Sequence, residues 1–217
     1  MDSPTQKQDV GLTDKPKSRP RTRLSPQKRR EQLMEIAMEV FACRGIGRGG
    51  HADIAEIANV SVATVFNYFP TREDLVDDVL QFVERKYSNF LSDSIDLDRH
   101  ARENLKCITG AIIQMVQEDC SWMKVWFEWS ASTRSDVWPL FLSSNQTNLK
   151  LLQHMFKVAM ERDEICDEHD PNHIASLFHG ILYSLFIQGN RIEEAGELNT
   201  LADSYLNMLC IYKHKQQ

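Results

Sequence analysis

The sequence predicts an all-α protein, with a small N-terminal helical domain followed by a larger helical one. Three observations carry this reading. Apolar residues recur at three- and four-residue intervals along most of the chain, strand-like alternation is almost absent, and two helix starts are written as cap-plus-proline pairs, Ser25-Pro26 and Asp170-Pro171. At 217 residues, 42% hydrophobic, the chain has ample apolar material for a core. The expected organisation is a flexible basic arm over 1–24, a small helical unit over 25–72, and a larger helical domain over 73–217.

Residues 1–24 are polar, with Pro4, Pro16 and Pro20 and only Met1, Val10, Leu12 and Leu24 as hydrophobic side chains. Such a stretch cannot bury enough apolar surface to offset its ordering entropy, so an arm is expected. Order starts at Ser25-Pro26. Leu33, Ile36, Ala37, Val40 and Phe41 then mark one face of an amphipathic helix that Gly45 ends. A short helix is expected over Asp53–Ala58, a turn at Asn59-Val60-Ser61, and a third helix over Val62–Phe69, stopped by Pro70. Thr71 caps a long helix with Glu73 and Asp74 in its first turn. Further helices are expected over roughly 99–118, 120–133, 137–161, 171–189 and 198–212.

The formal charge of −6 is unevenly spread. Residues 1–80 carry 12 Lys and Arg against 12 Asp and Glu, whereas 81–217 carry 13 against 19. Lys15–Arg30 holds eight basic residues and no acid, a local patch that a polyanion would feel in preference to the average. No apolar run approaches the roughly 18 residues that span a bilayer, and no secretory signal is visible. Five cysteines without CxxC pairing argue against a disulfide framework or zinc knuckle, and a reducing cytoplasm is the expected compartment.

Two short helices joined by a three-residue turn form a helix-turn-helix signature. Ile54, Ile57, Ala58 and Val60 are expected to face inward, as are Val62, Val65, Phe66 and Phe69 of the second helix. Asn59 tolerates the left-handed backbone that such a turn needs, and Ser61 caps the second helix. Ala63, Thr64, Asn67 and Tyr68 then face outward. Asn67 has the amide for a bidentate pair with adenine, and the Thr64 methyl suits a thymine methyl. Tyr68 and Arg72 suit phosphate contacts. Arg19, Arg21 and Arg23, on an arm kept extended by proline, suit the minor groove beside it.

Ile54 to Leu75, read through IAEIANVSVATVFNYFPTREDL, resembles the TetR family of transcriptional regulators. Gly45 to His51 and Lys124 to Arg134 are similar more narrowly to the vibrio quorum-sensing master regulators of the LuxR/HapR/SmcR type, as is the closing Leu206 to Tyr212. The resemblance covers about residues 19–213. It implies Arg21 and Arg23 in the minor groove, Thr64, Asn67 and Tyr68 at the major groove and backbone, and a homodimer on a pseudo-palindromic operator. It further implies a regulator, activating and repressing quorum-sensing-controlled genes such as virulence, protease, biofilm or luminescence genes, with RNA polymerase as a further partner. A ligand-released repressor of a local efflux or metabolic operon is the alternative. A helical enzyme or carrier is a third reading that no catalytic grouping favours.

In this family the C-terminal domain commonly surrounds a small-molecule cavity. The expected lining is Tyr87, Leu91, Ile108, Ile112, Trp126, Phe141, Asn145, Leu149 and Leu182, with Asn145 as the polar group that orients a small apolar ligand. Phe178, Leu185, Phe186, Leu201, Tyr205 and Leu209 fall on stripes of the last two helices and are the expected dimer interface, as a four-helix bundle. No catalytic set, cofactor or metal site is expected. Gly45-x-Gly47-x-x-Gly50 formally matches a dinucleotide fingerprint but follows a helix where a strand is required. His169, His173 and His179 lack metal-ligand spacing on one face, and Glu128 among the tryptophans reads as hydrogen-bonded structure.

Overall fold

The computed structural model describes residues 24–132, 138–192, 194–209 and 211–212; the side chains of Trp138 and Ala195 are not described. Among them the chain forms nine helices and no strand: α1 (Pro26–Arg44), α2 (His51–Ala58), α3 (Val62–Phe66), α4 (Arg72–Ser94), α5 (Ala101–Gln117), α6 (Ser121–Ala131), α7 (Trp138–Glu161), α8 (Pro171–Gly189) and α9 (Ala195–Met208). The arm, with Arg19, Arg21 and Arg23, lies outside the described residues.

Local chemistry sets most of the ends. Ser25 Oγ accepts the Lys28 N–H with Pro26 in the first turn, and Gly45, at φ 83°, closes α1 by donating to the Phe41 carbonyl. Gly49 has a second constraint, since a Cβ there would sit 2.4 Å from the Phe41 ring. The glycine run is thus a cap plus a close packing point. Asn59 is left-handed at φ 51°, ψ 51°, which turns the chain sharply between α2 and α3. Thr71 and Asp74 cap α4 reciprocally, and Asp170 caps α8.

Three helices differ from their expected extents. α3 stops at Phe66 instead of Phe69, because Pro70 disfavours helical geometry at the residue before it; Tyr68 and Phe69 both donate to the Val65 carbonyl in a tightened turn. α2 begins at His51, two residues early, because Asp53 accepts the Gly50 N–H and secures an earlier start. α9 starts earlier than expected and ends at Met208; beyond it Ile211 and Tyr212 run beside Ile165, with Cys166 N–H donating to the Ile211 carbonyl.

The N-terminal unit packs α1 on α2, and α2 on α3. Leu33, Ala37, Val40 and Phe41 of α1 are buried, and full burial of each large side chain contributes about 1.5–3 kcal/mol. The expected boundary at 72/73 falls at the start of α4, which begins beside α1 through Arg30–Asp78 at 2.7 Å and continues into the larger bundle. There α4 meets α5, α6 and α7, α5 meets α8 and α9, and α7 meets α8. No helix among the described residues is long and apolar enough to cross a membrane.

Candidate nucleic-acid interface

The reading helix is five residues long, so its neighbours must hold it. Ser61 Oγ accepts the Thr64 N–H at 3.2 Å and lies 2.8 Å from the Thr64 hydroxyl. Val65 and Phe69 plug the core and are fully buried. His51, at the start of α2, lies beneath: its Nε2–H donates to the Phe69 carbonyl at 2.7 Å, and its ring stacks on Phe66 at 4.0 Å, 10° from parallel. A carbonyl only accepts, so the contact sets the tautomer. His51 therefore braces α3 at the ring of its last residue and at the turn beyond.

Ser61, Ala63 and Asn67 are exposed and Thr64 is half-buried, all within one short segment. Asn67 is the C-cap, and Tyr68 is half-buried behind it. The expected inward set needs correcting. Ile57 is 56% exposed, Val62 42% and Phe66 45%, while Ala58 and Val60 are half-buried. A helix of this length has room for one inward side chain, and Val65 takes that place. Val62 and Phe66, four apart, share a different face, and His51 fills the space beneath Phe66. These apolar groups belong beside Thr64 and Asn67 in the exposed set. The i, i+3, i+4, i+7 spacing of Val62, Val65, Phe66 and Phe69 reads as one buried face, so the sequence carried no local signal that two of them stay exposed.

Arg72 is half-buried, and its guanidinium donates to the Ile46 carbonyl at 3.0 Å, which braces the α1–α2 loop from the start of α4. The same peptide region is gripped from the other domain: exposed Glu128 on α6 accepts the Ile46 N–H at 2.9 Å. Glu128 Oε1 would lie 3.0 Å from a Cβ at Gly45. Glu128 was expected as hydrogen-bonded structure, but the partner, 82 residues away, was not readable in the sequence.

In the C-terminal bundle Tyr87 stacks on Trp126 at 4.1 Å, and Trp126 meets Phe141 at 5.2 Å. Leu91, Ile108, Ile112, Asn145 and Leu182 are buried in the same continuous core or beside it, and Leu149 is half-buried. Trp126 Nε1, Asn145 Oδ1 and Asn148 Nδ2 are buried without a hydrogen-bond partner, while Asn148 Oδ1 accepts from Ser88 at 2.8 Å. Tyr87 and His179 lie at 3.5 Å through Oη and Nδ1. Burial pushes the Tyr87 phenol far above its ordinary range and holds the His179 imidazole down at about 4. A cleft of about 730 Å³ opens elsewhere, between α1, α6 and α8, and none of the nine expected lining residues borders it.

The expected dimer stripe also needs correcting. Phe178, Leu185 and Leu209 are buried within the single chain, where they fill its own core. Phe186, Leu201 and Tyr205 remain half-buried, and the open apolar groups on these helices are Leu177, at 57% exposure, and Met208, at 69%. Gly180 lies on the same outer side with nothing within 4 Å of a Cβ there. Among the described residues no His, Cys, Asp or Glu cluster is arranged to hold a metal.

The family model for bacterial regulatory proteins of the tetR family matches residues 33–79. The chain is 68% identical over 197 residues to the HTH-type transcriptional regulator LuxR of Vibrio harveyi, covering 91% of this chain and 96% of that one. The HTH-type transcriptional regulator PksA of Bacillus subtilis is 27% identical over 108 residues, 50% of this chain and 53% of that one. Among solved structures, a TetR transcriptional regulator from Chloroflexus aurantiacus superposes with a TM-score of 0.71 at 14% identity, covering 85% of this chain and 95% of that one.

Proposed function

The chain belongs to the tetR family of bacterial regulatory proteins and is a DNA-binding transcriptional regulator, not an enzyme, and from that premise we propose that it works as a cytoplasmic homodimer, reading pseudo-palindromic operators of genes controlled by cell density. The observation that carries the reading is the outward set on α3, where Ser61, Ala63, Thr64 and Asn67 stand beside Val62 and Phe66. An amide, a methyl and two larger apolar groups suit adenine and thymine edges in the major groove. Arg19, Arg21 and Arg23 supply the minor-groove contacts, with Tyr68 on the backbone. One such segment reads few bases, and a two-fold pair doubles the contacts.

The partner surface is the outer side of α8 and α9, with Leu177, Gly180, Leu201, Tyr205 and Met208. A helix-interior glycine costs about 1 kcal/mol relative to alanine, and close approach of a second α8 at Gly180 offsets that. The Tyr87, Trp126 and Asn145 cluster holds a small apolar ligand with one acceptor for the indole N–H and one donor for the amide oxygen. RNA polymerase is the partner at activated promoters.

Mapping bound sites across the genome at low and high cell density, with gel shifts on the recovered sequences, tests this. The expected outcome is two-fold-related half-sites about one helical turn apart and weakened binding in Asn67→Ala. Equal affinity for random duplex at the same salt overturns it.

A further inference from the structure

We propose that the cleft between α1, α6 and α8 binds a small amphipathic anion, an apolar body carrying one carboxylate or sulfonate, and that its occupant acts on the reading head through Glu128. The cleft, at about 730 Å³, falls in the size range of small-molecule sites. One wall is aromatic. Phe127 stacks on Phe186 at 4.6 Å and meets Tyr183 at 5.8 Å. The polar rim holds Lys124, Glu128, Ser132, Asn190 and Arg191. Lys124, on α6, is paired with Asp119 at 2.5 Å, and the Arg191 guanidinium, at the end of α8, has no ionic partner among the described residues. An apolar body against the aromatic wall with its anion at Arg191 satisfies both.

The third charged group is Glu128, and it makes the cleft more than a depression. Its carboxylate borders the cleft and also accepts the Ile46 N–H at 2.9 Å, in the loop that leads into α2. An anion seated near Arg191 places like charge beside that carboxylate. The repulsion is relieved if Glu128 swings off the Ile46 N–H, leaving Arg72, on the Ile46 carbonyl, as the remaining side-chain grip on that residue. Occupancy and a braced reading head therefore oppose each other. Linkage then requires reciprocity, so the occupant weakens operator binding by the factor by which operator weakens the occupant.

The test uses the full-length protein and the aromatic sulfonate 8-anilinonaphthalene-1-sulfonate as probe, titrated by fluorescence with and without saturating operator duplex. One saturable site per protomer is expected, with Arg191→Ala and Phe186→Ala each raising the probe Kd about tenfold. Operator should raise the probe Kd, and probe the operator Kd, by one common factor of about five or more. In Glu128→Ala that factor should fall to about one, whatever the variant's own affinities. A probe Kd moved by neither Arg191→Ala nor Phe186→Ala overturns the site. So does Phe186→Ala splitting the dimer in sedimentation without moving the probe, which assigns the cleft to a second copy. An operator Kd unchanged by bound probe overturns the coupling. The coupling rests on the DNA-binding reading, and operator binding by the probe-free wild type checks that reading separately.

Discussion

In the reading head Ile57, Val62 and Phe66 stay in solvent while buried His51 has its hydrogen bond to Phe69; in the C-terminal bundle Tyr87, Trp126 and Phe141 are closed off from water while Asn145 Oδ1 lacks a hydrogen-bond partner and Trp126 Nε1 has none beyond the Tyr87 side chain. Among the described residues, the buried side-chain polar atoms without partners all belong to Trp126, Asn145, Asn148 and Tyr212, none of them in the head. Leaving an apolar side chain half exposed forgoes part of the about 1.5–3 kcal/mol that its full burial contributes, and an orphaned buried polar atom costs about 1–3 kcal/mol. The head thus holds its unused affinity outward, toward a macromolecule. The bundle keeps its unpaired polar atoms inward.

Substitutions separate the two regions, and the largest effect belongs to the bundle. Trp126→Ala removes a buried indole stacked on Tyr87 and tilted against Phe141 and should cost about 3–5 kcal/mol of stability, read in denaturant melts. A loss below 1 kcal/mol would mean the cluster is loosely packed. Acid comes next. His179 is held at about 4 by burial, against 6.5 in the unfolded chain, so the unfolded state takes up more protons between these values. Stability should be full above pH 6.5 and fall toward pH 4 by up to about 3 kcal/mol, and His179→Gln should flatten that limb.

The head should answer in affinity while its fold is kept. Asn67→Ala should cost about 1–3 kcal/mol per half-site in operator binding, with an unchanged melting curve. Arg21→Ala with Arg23→Ala should also flatten the salt dependence by roughly one log unit of slope per arginine lost. Equal losses on operator and random duplex for Asn67→Ala would remove it from base reading. Ser25→Ala should cost about 1 kcal/mol through the cap of α1. The smallest effect sharpens the contrast most. Trp126→Phe deletes the orphan N–H and keeps an aromatic ring, so stability should stay within about 1 kcal/mol of wild type or rise. A fall beyond that would show a hidden partner for the indole.

Legibility in the sequence followed the range of the physics. Ser25, Asn59, Thr71 and Asp170 act within three residues of themselves, and each stands where local chemistry put it. The order of the helices was also readable, because helical periodicity survives in one dimension, whereas the meeting of Tyr87, Trp126 and Phe141 was expected from the family resemblance. Facing was harder. Periodicity places Phe178, Leu185 and Leu209 on apolar stripes but does not say whether the chain or its copy covers them, and the chain does. Phe66 was misplaced because His51, well upstream at the start of α2, stacks beneath its ring, and Val62 likewise stays exposed. Arg72 and Glu128 meet at Ile46 across 26 and 82 residues, a separation no local pattern encodes.

The imidazole under Phe66 bears on any attempt to retarget this regulator. A segment as short as Val62–Phe66 carries no orientation of its own, so grafting it onto a relative transfers letters without their aim unless the position equivalent to His51 travels with it. Chimeras made with and without that one extra exchange, compared on the donor's operator, would measure how much of a recognition code is written outside the residues that touch the duplex.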